Sequence, residues 1–294
     1  MEHLAKYLQQ LEYEKRYSPH TIDAYRRDLS QFDAFLSGTG SKGEVVDFRV
    51  IRRWIVALVA QGDSPRTVNR KIVALRSYFN YLMKNGLVTV DPMEKVGVLK
   101  VDKNLPVFVT TDKMDELLDE EEASVDSDDY QALRDRMILE LFYMTGMRLS
   151  ELIRLKESDV DAGAKTVKVL GKRNRERIIP LTAQFCRALL QYMSVKKSVF
   201  PDTAWLFVLK SGKPLNARWV QRLTARKIGA VTTMKKRSPH VLRHSFATNM
   251  LDNGAELNAI KEILGHANLA ATQIYTHSSL KRIKKIYQQA HPRA

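Results

Sequence analysis

Apolar side chains recur three or four residues apart through the first 86 residues of the chain. This spacing places them on one face of an α-helix, so it predicts four amphipathic helices. Because the links between them are short, we expect the helices to bury these faces against one another in a small bundle. The apolar positions are, helix by helix, Tyr7, Leu8 and Leu11; Ile22, Tyr25, Leu29, Phe32 and Leu36; Ile51, Ile55 and Leu58; and Val68, Ile72, Leu75, Phe79 and Leu82.

Three Ser-Pro pairs carry the signature of a helix start: Ser18-Pro19, Ser64-Pro65 and Ser238-Pro239. A serine hydroxyl at the N-cap accepts a hydrogen bond from a free backbone N–H of the first turn. A proline at the first helical position loses no bond, because that N–H would be unpaired in any case. The pairs therefore predict helices that begin at these three prolines.

The remainder of the chain divides at residues 89–108, where proline, glycine and charges alternate without a sustained period. This composition is typical of a linker. The sequence therefore predicts a helical domain over residues 1–88, a linker over 89–108 and a second domain over 109–294.

The second domain contains one change of period, at residues 166–181. Val167 and Val169 alternate with polar residues, Gly171 to Arg175 have turn composition, and Ile178-Ile179 follow as a returning strand. Beyond this β-hairpin the spacing is helical again, and Gly265 closes the last clear helix. The helices are predicted at residues 216–228, 239–251 and 257–264, which makes the whole chain mainly α with a small β-hairpin or sheet, an α+β fold.

The net charge of +15 is unevenly spread along the chain. Residues 1–104 carry a net +5, residues 105–165 a net −9 and residues 166–294 a net +19. Such a basic segment favours a polyanionic partner, although charge alone leaves nucleic acid and a membrane surface both open. No run approaches 18 consecutive apolar residues, so no membrane-spanning helix is expected.

Cysteine usage and the N-terminus predict a reducing, cytoplasmic location. The single cysteine, Cys186, excludes an internal disulfide and a multi-cysteine metal site, and a small apolar filler is its expected role. The N-terminal stretch is polar and lacks the apolar core of a signal peptide. The acidic run at residues 115–129 lacks histidine, so a solvated loop or helix end is favoured over a carboxylate metal site.

Two basic motifs are candidates for an anion site. His240 and Arg243 are three residues apart at a helix start, so they share a face where free N–H groups also attract anions. A surface helix with a buffering histidine explains them equally well. Arg148 follows a Thr-Gly break after a buried-looking stretch, and either an ion pair with Glu151 or a second fork for the same anion would account for it.

The stretch after Gly265 contains His266 and, nine residues later, Tyr275. A phenol has a pKa near 10 and is a weak nucleophile at neutral pH, but flanking cations favour the phenolate and would stabilise a phosphoryl transition state. For a lone tyrosine a packed aromatic ring is the favoured interpretation.

Together these motifs resemble one family. The segments TGMRLSEL, GKRNRERIIPL, HVLRHSFAT and LGHANLAATQIYTH, in this order, resemble the tyrosine recombinase (integrase) family, and the C-terminal LKRIKKIYQQAHPRA is similar to the tail of its bacterial Xer-type members. The four-helix N-terminal half resembles that group's SAM-like core-binding domain. The resemblance covers nearly the whole chain, and the combined spacing is far more specific than any single motif.

The resemblance implies a reaction and its site residues. Two arginines and two histidines hold the scissile phosphate, a hairpin lysine protonates the leaving 5′-oxygen, and a tyrosine attacks to form a covalent 3′-phosphotyrosyl intermediate. Bond energy is kept for rejoining, so no metal, ATP or other cofactor is implied. By match, the residues are Arg148, His240, Arg243 and His266 for the phosphate, Lys172 for the proton and Tyr275 for the attack.

Neighbouring residues leave some roles open. Arg173 and Arg175 lie beside Lys172, so the lysine is the least firmly assigned position. Glu151 is expected to form an ion pair and His244 to support the site from behind. Tyr143 and His277 do not match the family pattern.

The resemblance also implies partners. Two basic domains joined by a linker can close around a specific site in double-stranded DNA, and recombination needs four protomers, either of one recombinase or with a second Xer recombinase. A DNA translocase is an implied activator, and the C-terminal helix, with Ile283, Ile286 and Tyr287, is expected to dock on a neighbouring subunit or within its own chain. The DNA-contact candidates are Arg26, Arg27, Arg66, Arg70, Lys71, Arg173 and Arg175.

Chromosome dimer resolution is the expected role, because the chain is compact and has no additional arm-binding domain. A mobile-element recombinase of the same family is the alternative. A type IB topoisomerase-like enzyme and a DNA-binding protein without catalysis are further alternatives, and the complete set of six residues argues against the latter.

Overall fold

The computed structural model describes residues 3–39, 46–101, 107–124, 129–171, 176–265 and 277–293. The chain divides into two compact units, Met1–Asn104 and Leu105–Ala294. Each unit has its own apolar core.

The first unit has the four helices predicted from apolar spacing. Leu11, Phe32, Ile51 and Ile72 are fully buried in its core, and Trp54, which was not among the predicted positions, joins them there. The helical interpretation of residues 1–86 is therefore confirmed. The helices are α1 (Leu4–Tyr13), α2 (Pro19–Gly38), α3 (Phe48–Ala60) and α4 (Pro65–Lys84).

Serine caps start two of these helices as predicted. The Ser18 hydroxyl accepts from the Thr21 N–H at 3.3 Å, and the Ser64 hydroxyl accepts from the Thr67 N–H at 3.3 Å. The third pair differs, because the helix does begin at Pro239 but the Ser238 side chain makes no capping hydrogen bond.

Residues 91–99, which lie in the segment predicted as a linker, pack on the first unit. Met93 and Val96 are buried in its core. The Asn69 side-chain amide donates to the Leu99 carbonyl at 2.8 Å, and its oxygen accepts from the Leu99 N–H at 2.7 Å. Arg76 donates to the Val96 carbonyl at 2.6 Å. This stretch is fixed to α3 and α4, and the division between the units falls at residues 104 and 105.

Lys71 departs from the exposed, phosphate-facing position predicted for it. Its side chain is 7% exposed, and the ammonium donates to Gln31 at 2.6 Å and to Asp63 at 2.5 Å. Arg70 is about half exposed but forms an ion pair with the buried Asp28. Both cations are committed to the unit's own carboxylates.

The second unit is mostly helical around a small antiparallel sheet, so the predicted fold class is confirmed. Among the described residues no helix is long and apolar enough to cross a membrane. The helices of the second unit are α5 (Thr111–Ser124), α6 (Tyr130–Thr145), α7 (Leu149–Ile153), α8 (Ala183–Val199), α9 (Ala217–Val231), α10 (Pro239–Asp252), α11 (Leu257–Leu264) and α12 (His277–Ala290), with a 3-10 turn at Glu157–Asp159. Its strands are β1 (Val160–Asp161), β2 (Thr166–Leu170) and β3 (Glu176–Pro180).

Helix α6 forms the centre of this unit and packs against α5, α8 and α10. Met137, Ile138, Leu141 and Phe142 on successive faces are all fully buried. A helix that is apolar all round is a core helix, which agrees with the buried stretch expected before Arg148.

The sheet has the order β1-β2-β3, and β2 and β3 form the predicted hairpin. Val167 pairs with Ile179, and Val169 pairs with Arg177. The predicted turn continues past Gly171 into residues 172–175, which lie outside the described residues. The two-residue strand β1 was not predicted.

The C-terminal helix packs within its own chain, which is the second of the two expected arrangements. Ile283 and Tyr287 are 1% exposed in the core of the second unit, and Ile286 packs against that core. The Tyr287 hydroxyl donates to the Met144 carbonyl at 2.9 Å. The apolar stripe considered for docking on a neighbouring subunit packs within its own unit, where α12 contacts α10, α11 and β3.

The end of α12 is held by a buried histidine. His291 is 5% exposed, its ring stacks on Tyr287 with centroids 4.9 Å apart, and its Nε2 donates to the Tyr143 carbonyl at 3.2 Å. Burial lowers the pKa of His291 to about 4, and the nearby positive charge of Arg293 acts in the same direction.

We expect this histidine to make the second unit acid-sensitive. The pKa of His291 is near 6.5 in the unfolded chain and about 4 in the folded state, so the unfolded chain binds the proton first as the pH falls. The contribution of His291 to the free energy of unfolding is therefore complete above pH 6.5 and is lost as the pH falls towards 4. The loss should be on the order of 3 kcal/mol. The measurement is urea unfolding between pH 7 and 4 for wild type and His291→Gln, with exposed His240→Gln as control. Equal pH slopes for wild type and His291→Gln would contradict the assignment.

Candidate functional site

The corner between α6 and α7 sets the position of Arg148. Gly146 ends α6 in the left-handed conformation with φ 57°, a region that favours glycine. A Cβ there would lie 2.5 Å from Phe246 Cδ1 and 2.7 Å from Leu264 Cδ2. The chain therefore turns tightly against α10 and α11 and begins α7 with Arg148 as its N-cap residue.

Arg148 is fixed by Glu151 and by the end of α11. Its backbone N–H donates to Glu151 Oε2 at 2.7 Å, and its Nη1 donates to Oε1 at 3.0 Å. Its Nη2 donates to the Gly265 carbonyl at 3.3 Å. The side chain is still 38% exposed, so part of the guanidinium faces solvent. The ion pair expected with Glu151 is present.

Arg243 lies in the first part of α10 and is held from two sides. Its Nη1 donates to the Gly146 carbonyl at 2.6 Å, and its Nη2 donates to the Leu264 carbonyl at 2.8 Å. Burial, together with the positive charges of Arg148 and Arg177, lowers the pKa of Arg243 to about 10. The guanidinium remains charged at neutral pH.

Arg177 is the site residue that the sequence analysis missed. Its side chain is 5% exposed. Its Nη1 and Nη2 donate to Glu151 Oε1 and Oε2 at 2.9 and 2.8 Å, and its Nε donates to the Ile263 carbonyl at 2.7 Å. The signal was in the strand alternation, because Arg177 is two residues from buried Ile179 and so shares its inner face.

The last turn of α11 joins all three arginines. The final carbonyls of a helix have no partner within the helix and carry its partial negative charge. Here Ile263, Leu264 and Gly265 each accept from a different arginine, namely Arg177, Arg243 and Arg148 in that order. Sequence segments more than 100 residues apart thus meet at one helix end.

The electrostatic balance of the cluster is positive. Burial would raise the pKa of Glu151, but hydrogen bonds and charge from Arg177, followed by those of Arg148, hold it below its ordinary value. Arg148 and Arg177 therefore share one carboxylate, whereas Arg243 donates to the carbonyls of Gly146 and Leu264. These three arginines and one glutamate carry a net charge of two positive units next to the partly exposed Arg148 side chain, which suits an anion such as a phosphate.

The histidines of the α10 motif differ in exposure. His240 is exposed one turn before Arg243, on the same helix face. His244 is half-buried, with its ring edge-on to Phe108 at 6.4 Å between centroids. The structure thus brings together Arg148, Glu151 and Arg243, with His240 one turn away.

The remaining site predictions lie outside the described residues, namely Lys172, Arg173, Arg175, His266 and Tyr275. His266 is the residue after Gly265 in the chain. On the first unit, Arg26, Arg27 and Arg66 are exposed as expected. Among the described residues no group of three His, Cys, Asp or Glu side chains is placed to hold a metal ion.

Comparison with known proteins identifies the family. The phage integrase family matches residues 108–282, and the phage integrase N-terminal SAM-like domain matches residues 4–86. The chain belongs to the phage integrase family of tyrosine recombinases.

Xer recombinases are similar to this recombinase over almost its full length. Tyrosine recombinase XerC of Pelobacter propionicus is 38% identical over 297 residues, covering 100% of this chain and 96% of that protein. Tyrosine recombinase XerC of Staphylococcus saprophyticus is 37% identical, covering 98% and 96%. The recombinase is of the Xer type.

Solved structures share the fold of the recombinase. XerH bound to palindromic difH substrate in a post-cleavage complex has a TM-score of 0.74 at 23% identity, covering 96% of this chain and 82% of that chain. The Tn1549 transposon integrase in complex with transposon right end DNA has a TM-score of 0.71 at 19% identity, covering 96% and 98%.

We expect Gly146→Ala to damage both stability and the arginine cluster of the recombinase. Gly254 has φ 85° with open space around it, so Gly254→Ala should cost only the left-handed backbone, about 1 kcal/mol. Gly146→Ala adds the overlap with Phe246 and Leu264, so its cost should exceed about 3 kcal/mol. Urea unfolding of both variants measures the difference. Equal losses would show that the corner is not tightly packed.

Proposed function

We propose that the recombinase cuts and rejoins double-stranded DNA at a specific site, with the arginine cluster at the end of α11 holding the scissile phosphate. The observation that carries this proposal is the convergence of Arg148 and Arg243 on one helix end, where Arg148 is partly exposed and the cluster has an excess of positive charge. His240 on the adjacent turn and His266 after Gly265 complete the phosphate contacts.

Tyr275 is the proposed nucleophile. Its hydroxyl oxygen attacks the phosphorus in line, the bond from phosphorus to the 5′-oxygen breaks, and a 3′-phosphotyrosyl linkage forms. Lys172 gives a proton to the departing 5′-oxygen, and the phenol gives up its own proton to solvent water. The arginines stabilise the additional negative charge on the phosphoryl oxygens in the transition state.

Rejoining reverses these bonds. The 5′-hydroxyl of a partner strand attacks the phosphotyrosine, the new phosphodiester forms and the tyrosine is released. Because the phosphotyrosyl bond conserves the energy of the original phosphodiester, this chemistry needs no ATP. We propose no metal or other cofactor.

The proposed partners follow from charge and family. The net +19 of residues 166–294 and the exposed Arg26, Arg27 and Arg66 of the first unit would contact phosphates, which position a protein without reading sequence. Four protomers, of this chain alone or with a second Xer recombinase, would join two DNA duplexes, and a DNA translocase would activate them. Full-length similarity to XerC proteins favours chromosome dimer resolution over a mobile-element role.

We expect a covalent protein–DNA adduct that depends on Tyr275. Wild type should give an SDS-resistant band with a nicked duplex carrying the host's recombination site, and Tyr275→Phe should give none while still binding the duplex. Tyr13→Phe is the matched control, because Tyr13 is 72% exposed on α1 and should leave the band unchanged. An equal band from Tyr275→Phe and wild type would move the nucleophile elsewhere.

We expect Lys172, rather than Arg173 or Arg175, to supply the leaving-group proton. A substrate with sulfur in place of the bridging 5′-oxygen leaves as a thiolate and needs no proton, because thiols are far more acidic than alcohols. Lys172→Ala should therefore slow cleavage of the ordinary substrate by about 100-fold or more and regain most of the rate on the sulfur substrate. Arg173→Ala and Arg175→Ala should show no such recovery. If only Arg173→Ala or only Arg175→Ala recovered its cleavage rate on the sulfur substrate, that arginine and not Lys172 would be the proton donor.

A further inference from the structure

Glu151 lies between the arginines as their one shared carboxylate. Both of its oxygens are bonded to Arg177, at 2.9 and 2.8 Å, and the same oxygens accept the Arg148 side chain and backbone at 3.0 and 2.7 Å. The Glu151 side chain is 3% exposed, so solvent contributes little to stabilising its charge. Its charge must be balanced by the neighbouring arginines.

The two arginines bonded to Glu151 have different freedom. Arg177 is buried, and all of its three nitrogens donate to Glu151 or to the Ile263 carbonyl. Arg148 gives only one terminal nitrogen to Glu151, gives the other to Gly265, and remains 38% exposed. Arg177 is therefore placed to balance the carboxylate, whereas Arg148 retains a face for a ligand.

We propose that Arg177 is a positioning residue for DNA cleavage: it neutralises Glu151 and so keeps the charge and the open face of Arg148 available to the scissile phosphate. The inference rests on the proposed function of Arg148. Without Arg177, the buried carboxylate would draw the Arg148 guanidinium into a two-point pair, and the positive excess of the cluster would fall from two charges to one.

One comparison distinguishes this role from a simple structural ion pair: the cleavage rate of the double variant against that of the Arg177 variant alone. If Arg177 only stabilises the fold, then at a temperature where the Arg177 variant is fully folded, removing the charge of Glu151 as well cannot speed the reaction. If Arg177 neutralises Glu151, removing the carboxylate's charge frees Arg148 again, so the second substitution restores activity.

The experiment compares single-turnover cleavage by Arg177→Met, Glu151→Gln, the double variant and Arg177→Lys on a nicked recombination-site duplex at saturating protein. Arg187→Met, on the exposed face of α8, is the matched control. DNA affinity is measured in parallel, and thermal unfolding sets an assay temperature at which each variant is folded.

We expect Arg177→Met to slow formation of the Tyr275 adduct by about 100-fold while DNA affinity changes by less than about threefold. The double variant should cleave at least about fivefold faster than Arg177→Met. Arg177→Lys keeps the positive charge beside Glu151 and should retain activity between that of Arg177→Met and wild type. Arg187→Met should match wild type.

Three results would overturn the inference: a double variant no faster than Arg177→Met, an Arg177→Lys variant as slow as Arg177→Met, or a loss that appears only in DNA affinity. If Arg177→Met does not fold, the same comparison is made between Arg177→Lys and Arg177→Lys with Glu151→Gln, where the second substitution should again raise the rate.

The wild-type adduct separates the two proposals. Absence of any Tyr275-dependent adduct from wild type contradicts the proposed function, whereas a normal adduct without the restoring effect contradicts only the role of Arg177.

Discussion

The candidate site depends on three backbone carbonyls at the end of α11. Ile263, Leu264 and Gly265 each accept a hydrogen bond from an arginine of a different element, so β3, α10 and the start of α7 are tied to one helix end. The helix supplies partial negative charge where the arginines need it, and the arginines satisfy carbonyls that have no partner in the helix. Because a single helix end positions all three side chains, a shift of α11 would move the whole surface proposed to bind the phosphate.

Burying several guanidinium groups close together costs free energy. Arg243 and Arg177 have lost most of their hydration. Burial, and after it the positive charges of Arg148 and Arg177, lowers the pKa of Arg243. The single carboxylate of Glu151 and the helix carbonyls offset only part of the repulsion among these charges. A bound phosphate would supply the remaining negative charge. The positive charge of the cluster is therefore better explained by binding of a DNA phosphate than by a purely structural role.

The sequence predicted those features that depend on local periodicity. Apolar spacing located the helices, and the Thr-Gly break before Arg148 and the glycine stop at residue 265 marked the two corners of the site. It did not predict features set by long-range partners. The helical face of Lys71 gave no sign that Asp63 and Gln31 would bury it, and the apolar stripe of α12 suits its own core as well as a neighbour's. Arg177 was hidden because a charged residue on a hairpin is usually exposed.

The most direct test of the account is to map the residue that becomes joined to DNA. Tryptic cleavage after Lys261 and Lys281 gives a peptide of residues 262–281 in which Tyr275 is the sole tyrosine. The covalent complex is digested with nuclease and trypsin, and the peptides are analysed by mass spectrometry. The account predicts a nucleotide remnant on this peptide, attached at Tyr275. A remnant on any other peptide, from a complex that carries out strand exchange, would contradict it.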